Sequence, residues 1–148
     1  MITQNIDGLH ERAGTKVIAK IHGTMGRAYC QDCLAEYGEK AIYDSEIAYP
    51  ICEECGGIIR PDIVLYEEGL HATQWDAAVT WTQQADLFIV VGSSLTVTPA
   101  AWLPHFFGND EQLVIINRDP VNVNAALTFH EDICEVFENI IIPKKEVN

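Results

Sequence analysis

The chain has 148 residues, 48% of them apolar, and 9 basic against 22 acidic side chains give a net charge of −13. That composition predicts a folded core and excludes a disordered chain, and the acidity opposes phosphate backbones, so no direct nucleic-acid partner is expected. No run is long and apolar enough to span a membrane, and Asp7 and Glu11 spoil the basic-then-apolar pattern of a signal peptide.

No membrane partner and a cytoplasmic location follow as expectations, and there disulfides are rare. The five cysteines then require another explanation.

In chain order, residues 2–10 read "ITQNIDGLH". This predicts a strand over residues 1–5 with a polar end, then a turn and a short helix over residues 9–13. "KVIAKIHG" is a second short extended run that ends at His22.

Residues 25–59 contain "CQDC" and "CEEC", with 18 residues between the pairs. Two short C-x-x-C turns at this separation aim Cys30, Cys33, Cys52 and Cys55 at one tetrahedral zinc ion. Gly56 and Gly57 permit the tight backbone of such a knuckle. Four protein ligands leave no open position, so the ion is structural. A redox dithiol would need one C-x-x-C, not two. The segment reads as a small metal-stabilised module that leaves a larger fold near Gly23 and rejoins it near Arg60. Cys134 lies at an apolar helical position and is expected in the core.

"RPDIVLYEE" follows, and Pro61 makes it an edge-like extended segment. Trp75, Ala78, Val79, Thr82 and Ala85 share one face of a helix that begins near Thr73. "DLFIVVGSSL" has the continuous apolar run of a strand covered on both faces. In "TPAAWLPHFF", Thr98 is placed to cap a helix and Pro99 to open it. "GND" makes a turn, and "LVIINRD" is another buried strand with a polar end. A last helix starts at Asp132, carries Ile133, Val136, Phe137 and Ile140 on one face, and pairs Asp132 with Glu135 in a capping box.

The alternation predicts an α/β fold: a partial Rossmann-like parallel sheet with helices on both faces, plus the zinc module. The Rossmann-like part takes residues 1–24 and 60–142, the module residues 25–59, and residues 143–148 form a loose tail. Polar groups gather at three strand ends, "TQNID", "GSS" and "NRD". Ligands of such sheets bind at the carboxyl ends of the strands. Amides, hydroxyls and an acid suit ribose hydroxyls and a carboxamide.

Read together, "TQNID", "HG" at His22, the two cysteine pairs, "RPDIVLYEE", "GSSLTVTPAA" and "IINRDP" resemble the sirtuin family, the NAD-dependent protein lysine deacylases. The resemblance runs from residue 2 to about residue 138 in family order. It implies NAD as cosubstrate, one structural zinc, and an acyl-lysine protein or peptide as substrate. The acyl group passes to ADP-ribose and nicotinamide is released. His22 matches the general base, a step suited to an imidazole that titrates near neutrality.

Asn5 and Asp7 match groups that act beside it. Gln4, Asn5, Ile6 and Asp7 match the stretch that holds nicotinamide and its ribose. Gly92, Ser93 and Ser94 match the phosphate and adenosine-ribose loop. Asn117, Arg118 and Asp119 match the adenosine end, and Asp132 and Ile133 a segment against adenine. The family's substrate peptide lies as a strand between two loops, which correspond here to Val64, Leu65, Tyr66 and Glu67, and to Leu95, Thr96 and Val97.

Two departures stand out. The family often has glycine at the position of Glu67, whose carboxylate faces either a basic peptide or, more simply, water. The sequence also contains no G-A-G-x-S loop, whose backbone amides bind pyrophosphate in the family. The chain therefore resembles the C-terminal portion of a sirtuin. By itself it is expected to bind NAD poorly, turn over little, and expose sheet edges open to self-association or to an N-terminal partner. The alternatives are a catalytically dead remnant that serves as a zinc-containing binding module, and a zinc ribbon unrelated to NAD.

Overall fold

The computed structural model describes residues 1–45 and 49–140. The chain divides into two compact units, residues 1–78 and residues 79–148. The expected loose tail lies outside the described residues. No described helix is long and apolar enough to cross a membrane.

The first unit opens with β1 (Ile2–Thr3) and α1 (Leu9–Arg12). β1 is shorter than the strand expected over residues 1–5, because Asn5 N turns back to donate to the Thr3 hydroxyl at 3.1 Å. β2 (Ala19–Lys20) lies parallel to β1, with Ile2 opposite Ala19 and Thr3 opposite Lys20. Ile21, fully buried, extends the pairing by donating to Thr3 O at 3.1 Å.

β3 (Gly23–Cys30) is the central strand of an antiparallel sheet, flanked by β4 (Glu36–Gly38) and β5 (Ile59–Ile63). A register shift between Thr24 and Ala28 interrupts the pairing of β3 with β5. Pro61 falls opposite Ala28 in an edge strand, where its missing N–H leaves no gap in the ladder. A short α2 (Lys40–Tyr43) packs Ala41 and Ile42 against Ala28, Cys30, Cys52 and Ile59.

α3 (Ala72–Gln84) begins in this unit, and its Gln74 side chain accepts the Lys20 amide at 2.8 Å. Ala78 and Thr82 are its buried positions, in line with the expected helical face.

The second unit is a three-stranded parallel sheet in the order β6 (Phe88–Val91), β7 (Leu113–Ile116), β8 (Leu127–Phe129). β8 follows a stretch with no apolar run and was not expected. Val90, Leu113 and Ile115 form the core, with Phe88 and Phe107 at 5.5 Å between ring centroids. Phe107 comes from α4 (Leu103–Phe107).

Three expectations need correction. Thr98 caps nothing: the Thr98–Pro99 peptide is cis, a 3-10 turn covers Ala100–Trp102, and Pro104 rather than Pro99 sits at the start of the α-helix. Cys134 is exposed and not in the core, because α5 (Ile133–Glu138) buries Val136. Asp132 caps α5 by accepting from Cys134 N at 2.8 Å, but among the described hydrogen bonds the Glu135 side chain makes no reciprocal bond.

Gly23 joins the parallel pair to the antiparallel sheet. It has φ +78°, and a Cβ there would meet Asp62 O at 2.1 Å. Gly23→Ala is expected to cost about 2 kcal/mol or more, read as a lowered urea midpoint with an unchanged slope.

Candidate functional site

The metal site is the most complete assembly among the described residues. The four sulfurs of Cys30, Cys33, Cys52 and Cys55 lie within 4.8 Å of one another, with Cys30–Cys55 at 3.4 Å and Cys33–Cys52 at 3.6 Å. A tetrahedron with metal–sulfur bonds of about 2.3 Å has edges of about 3.8 Å, so the donors fit one zinc ion. Backbone amides already face the sulfurs: Asp32 N donates to Cys30 and Gly57 N to Cys55, both at 3.4 Å.

The charge balance points the same way. The Tyr37 hydroxyl, donating at 3.1 Å, brings the Cys52 thiol down to about 6. At Cys55 the Gly57 amide pulls downward, but the neighbouring Cys33 and Cys30 sulfurs outweigh it and the thiol is pushed up to about 12. Four crowded thiols cannot all lose their protons without a cation among them. Tyr37 was not anticipated as part of this site, since nothing in its spacing links it to Cys52.

In the first unit the parallel register brings two predicted segments to one strand end. Thr3 pairs with Lys20, so Gln4 and Asn5 leave β1 beside Ile21 and His22. Ile6 O accepts Met25 N at 2.9 Å, and Asp7 accepts Leu9 N at 2.9 Å, which shapes the turn into α1. Asn5 and Asp7 are exposed, while Gln4, Ile6 and His22 are half-buried. His22 is held through its carbonyl, which accepts Val64 N at 3.0 Å.

Val64 starts the loop that leaves β5. Arg60 forks onto Glu68 at 2.6 and 3.0 Å and also donates to Ile63 O at 2.9 Å. Glu68 in turn accepts Leu65 N at 2.9 Å. Arg60, and after it the Leu65 amide, hold the Glu68 carboxyl down at about 2. Asp62, buried in β5, binds Arg27 at 2.5 Å and His71 at 3.1 Å. Neither brace was foreseen, because each joins residues with no periodic relation.

In the second unit Gly92, Asn117, Arg118, Asp132 and Ile133 gather at the carboxyl ends of β6 and β7. Gly92 has φ +59°, donates its amide to Ile116 O at 2.9 Å, and lies so close to Ile133 that a Cβ would stand 3.0 Å from its terminal methyl. A bare backbone turn at a strand end admits a phosphate or ribose.

Asn117 is buried and donates to Asp119 O at 2.8 Å. Arg118 pairs with Asp132, which keeps that carboxyl below its usual range. Ser93 accepts Leu95 N at 3.3 Å, and Ser94 and Thr96 share a hydroxyl contact at 2.8 Å. Val97 is exposed. His130 stands 3.3 Å from Asn117 O and belongs to this cluster.

The Sir2 family model matches residues 1–99, more than half of the chain. The chain belongs to the Sir2 family. An NAD-dependent protein deacetylase of Staphylococcus epidermidis is 48% identical over 143 residues, which is 95% of this chain and 57% of that protein. The namesake from Clostridium acetobutylicum is 41% identical over 95% of this chain and 58% of its own.

Among solved structures, a Sir2 protein bound to a propionylated peptide superposes with TM-score 0.87 at 36% identity, over 93% of this chain and 60% of that one. A Sir2 complex with a p53 peptide and NAD gives 0.84 at 37%, over 93% and 59%. This Sir2 chain thus spans about three-fifths of the relatives it matches. The match accounts for the α/β architecture with its four-cysteine module.

Two outcomes are expected at these sites. Tyr37→Phe removes the donor to Cys52 and should weaken zinc retention about tenfold in chelator competition. The Glu68 carboxyl, ordinarily at 4.5, is depressed in the fold, so its stabilisation is complete above about pH 4.5 and is lost as pH falls through about 2. In a carboxyl-resonance titration, Arg60→Met should move the Glu68 midpoint back towards 4.5.

Proposed function

We propose that the protein is an NAD-dependent protein lysine deacylase that moves an acyl group from lysine to ADP-ribose with release of nicotinamide. The observation that carries this reading is the register of β1 and β2, which puts the Gln4-to-Asp7 turn and His22 at one strand end, within a Sir2-family chain. The names of its relatives support the same chemistry: deacetylases that depend on NAD, and complexes with acylated peptides.

NAD, when bound, supplies the electrophilic ribose carbon and the nicotinamide leaving group. His22 acts as the general base and accepts a proton from a ribose hydroxyl. Its carbonyl is tied to Val64, so the backbone that carries the imidazole is anchored to the start of the peptide loop. Asp7 accepts the carboxamide N–H bonds, and Asn5, with Gln4 and Ile6 beside it, orients the ribose. Gly92, Ser93 and Ser94 take the phosphate and adenosine ribose through backbone and hydroxyl groups, and Asn117, Arg118, Asp119, Asp132 and Ile133 take the adenosine end. Peptide binding falls to Val64, Leu65, Tyr66 and Glu67 and to Leu95, Thr96 and Val97. Cys30, Cys33, Cys52 and Cys55 would hold a zinc ion with four protein ligands, and the ion would keep the module folded and not touch substrate.

The reading includes a cytoplasmic setting, supported by the metal-ligand spacing of the cysteines. It also includes a strand-pairing partner or self-association. Among the described residues β1 pairs only with β2 and β6 only with β7, and Ile89 and Val91 of β6 are exposed. Those edges favour a second reading, a zinc-containing module that functions only with a separate N-terminal piece.

The test is nicotinamide release from NAD with an acetyl-lysine peptide. The zinc-loaded 148-residue chain is assayed alone and with the unmatched portion of a relative added in trans. Slow release alone, faster release in trans, and a loss of about 100-fold in His22→Ala support the deacylase. Release that ignores His22, or none in either format, overturns it.

A further inference from the structure

We propose that Gln74 is a positioning residue for His22: its side chain closes the open edge of β2 at Lys20, and a bridge between His71 and Asp62 sets it there. The inference rests on the deacylase reading, which makes His22 the general base. All four residues lie in the first unit.

Among the described residues β2 pairs with β1 alone. Successive backbone amides of a strand point to opposite edges. Ala19 N and Ile21 N face β1, donating to Met1 O at 2.9 Å and to Thr3 O at 3.1 Å. Lys20 and His22 therefore present their backbone groups to the other edge. Two bonds take the place of a strand there. Gln74 Oε1 accepts Lys20 N at 2.8 Å, and His22 O accepts Val64 N at 3.0 Å. The bonds stand on either side of Ile21, which is fully buried.

This edge is not covered by packing. A cleft of about 340 Å³ runs along it, lined in part by Lys20, Asp62, His71 and Gln74. Without the Gln74 acceptor the Lys20 amide would turn to water. His22 would then keep one anchor on this edge, its own carbonyl. Two anchors fix the direction of a strand, whereas one leaves a pivot.

The route by which Gln74 reaches the edge is itself braced. Gln74 lies in the first turn of α3, where His71 O accepts both Gln74 N and Trp75 N at 3.0 Å. The His71 imidazole is tied to β5, with Nε2 at 3.1 Å from Oδ1 of Asp62. Asp62 is buried, and its other oxygen binds Arg27 at 2.5 Å, so the carboxylate is held from both sides. β5 also pairs with Gly23, the residue after His22. Both anchors of the open edge thus start from β5, one through Val64 and the other through Asp62, His71 and Gln74. A general base must reach its proton within hydrogen-bond distance, and a displacement of about 1 Å costs up to about 100-fold in rate.

The edge needs an acceptor, not volume. Glutamate keeps one at this position, methionine has the same length and only a weak one, and all three residues form helices well. The experiment combines amide hydrogen exchange of the zinc-loaded 148-residue chain with nicotinamide-release kinetics on an acetyl-lysine peptide, the unmatched portion of a relative being added in trans. Gln74→Met should speed exchange at the Lys20 amide about tenfold and lower kcat about tenfold, with the peptide KM within about twofold of wild type. Gln74→Glu should restore both, and His71→Phe should move both in the direction of Gln74→Met by a smaller factor. Glu11→Gln, which removes only the partner of the Lys20 side chain, should move neither.

Unchanged exchange at Lys20 in Gln74→Met, equal damage from Gln74→Glu, or a rise in KM at constant kcat overturns the inference and leaves the deacylase reading standing. If the wild type releases no nicotinamide in either format, both fall together. Equal zinc content across the variants shows that the changes report the position of His22 and not misfolding.

Discussion

Four thiols within 4.8 Å of one another need a cation, and the antiparallel sheet that carries them needs it equally. Its buried hydrophobic cluster is Ala28, Cys30, Cys52 and Ile59, of which two are themselves metal ligands. Without the ion, that core is too small to offset the entropy of ordering the segment. With it, β3 becomes a fixed axis, and everything that leaves the sheet inherits its position.

The most consequential inheritance runs through β5. β5 pairs with β3 from Gly23 to Cys30 and then releases the chain at Ile63. Gly23 must be bare for the two backbones to approach, since a Cβ would collide with Asp62 O. His22 precedes Gly23 directly, and its carbonyl takes the Val64 amide. The metal module, the histidine and the start of the loop after β5 are therefore one mechanical unit. A zinc ion held by the four cysteines would influence His22 only through this backbone.

The second unit follows a different logic. Its parallel strands need no metal, because Val90, Leu113 and Ile115 supply an apolar core. Parallel order places the carboxyl ends of β6 and β7 together, and polar groups collect there in place of apolar ones. The Arg118–Asp132 pair is largely exposed and contributes little to stability, so its value lies in orientation. Asn117 differs in being buried, and its side chain satisfies itself by donating to the backbone at Asp119.

Much of this was legible in the sequence wherever the signal is local. Two C-x-x-C pairs declare a metal because each turn is short enough to aim its own thiolates. "LVII" declares a buried strand because covering both faces demands an unbroken apolar run, whereas "LFIVV" declares a strand but not its burial, since Leu87, Ile89 and Val91 are exposed and only Val90 is buried. Asp132 declares a helix start because a cap acts within its own turn.

Tertiary structure decided whatever depends on partners far apart in the chain. Tyr37 meets Cys52, Arg27 meets Asp62, and His130 meets Asn117, none at a spacing that repeats. Thr98 has a capping residue's chemistry but not the backbone course, and Cys134 has a core residue's polarity but lies on the exposed side of its helix. Residue types and short spacings are written along the chain. Which of two plausible faces is buried is settled only by what packs against it.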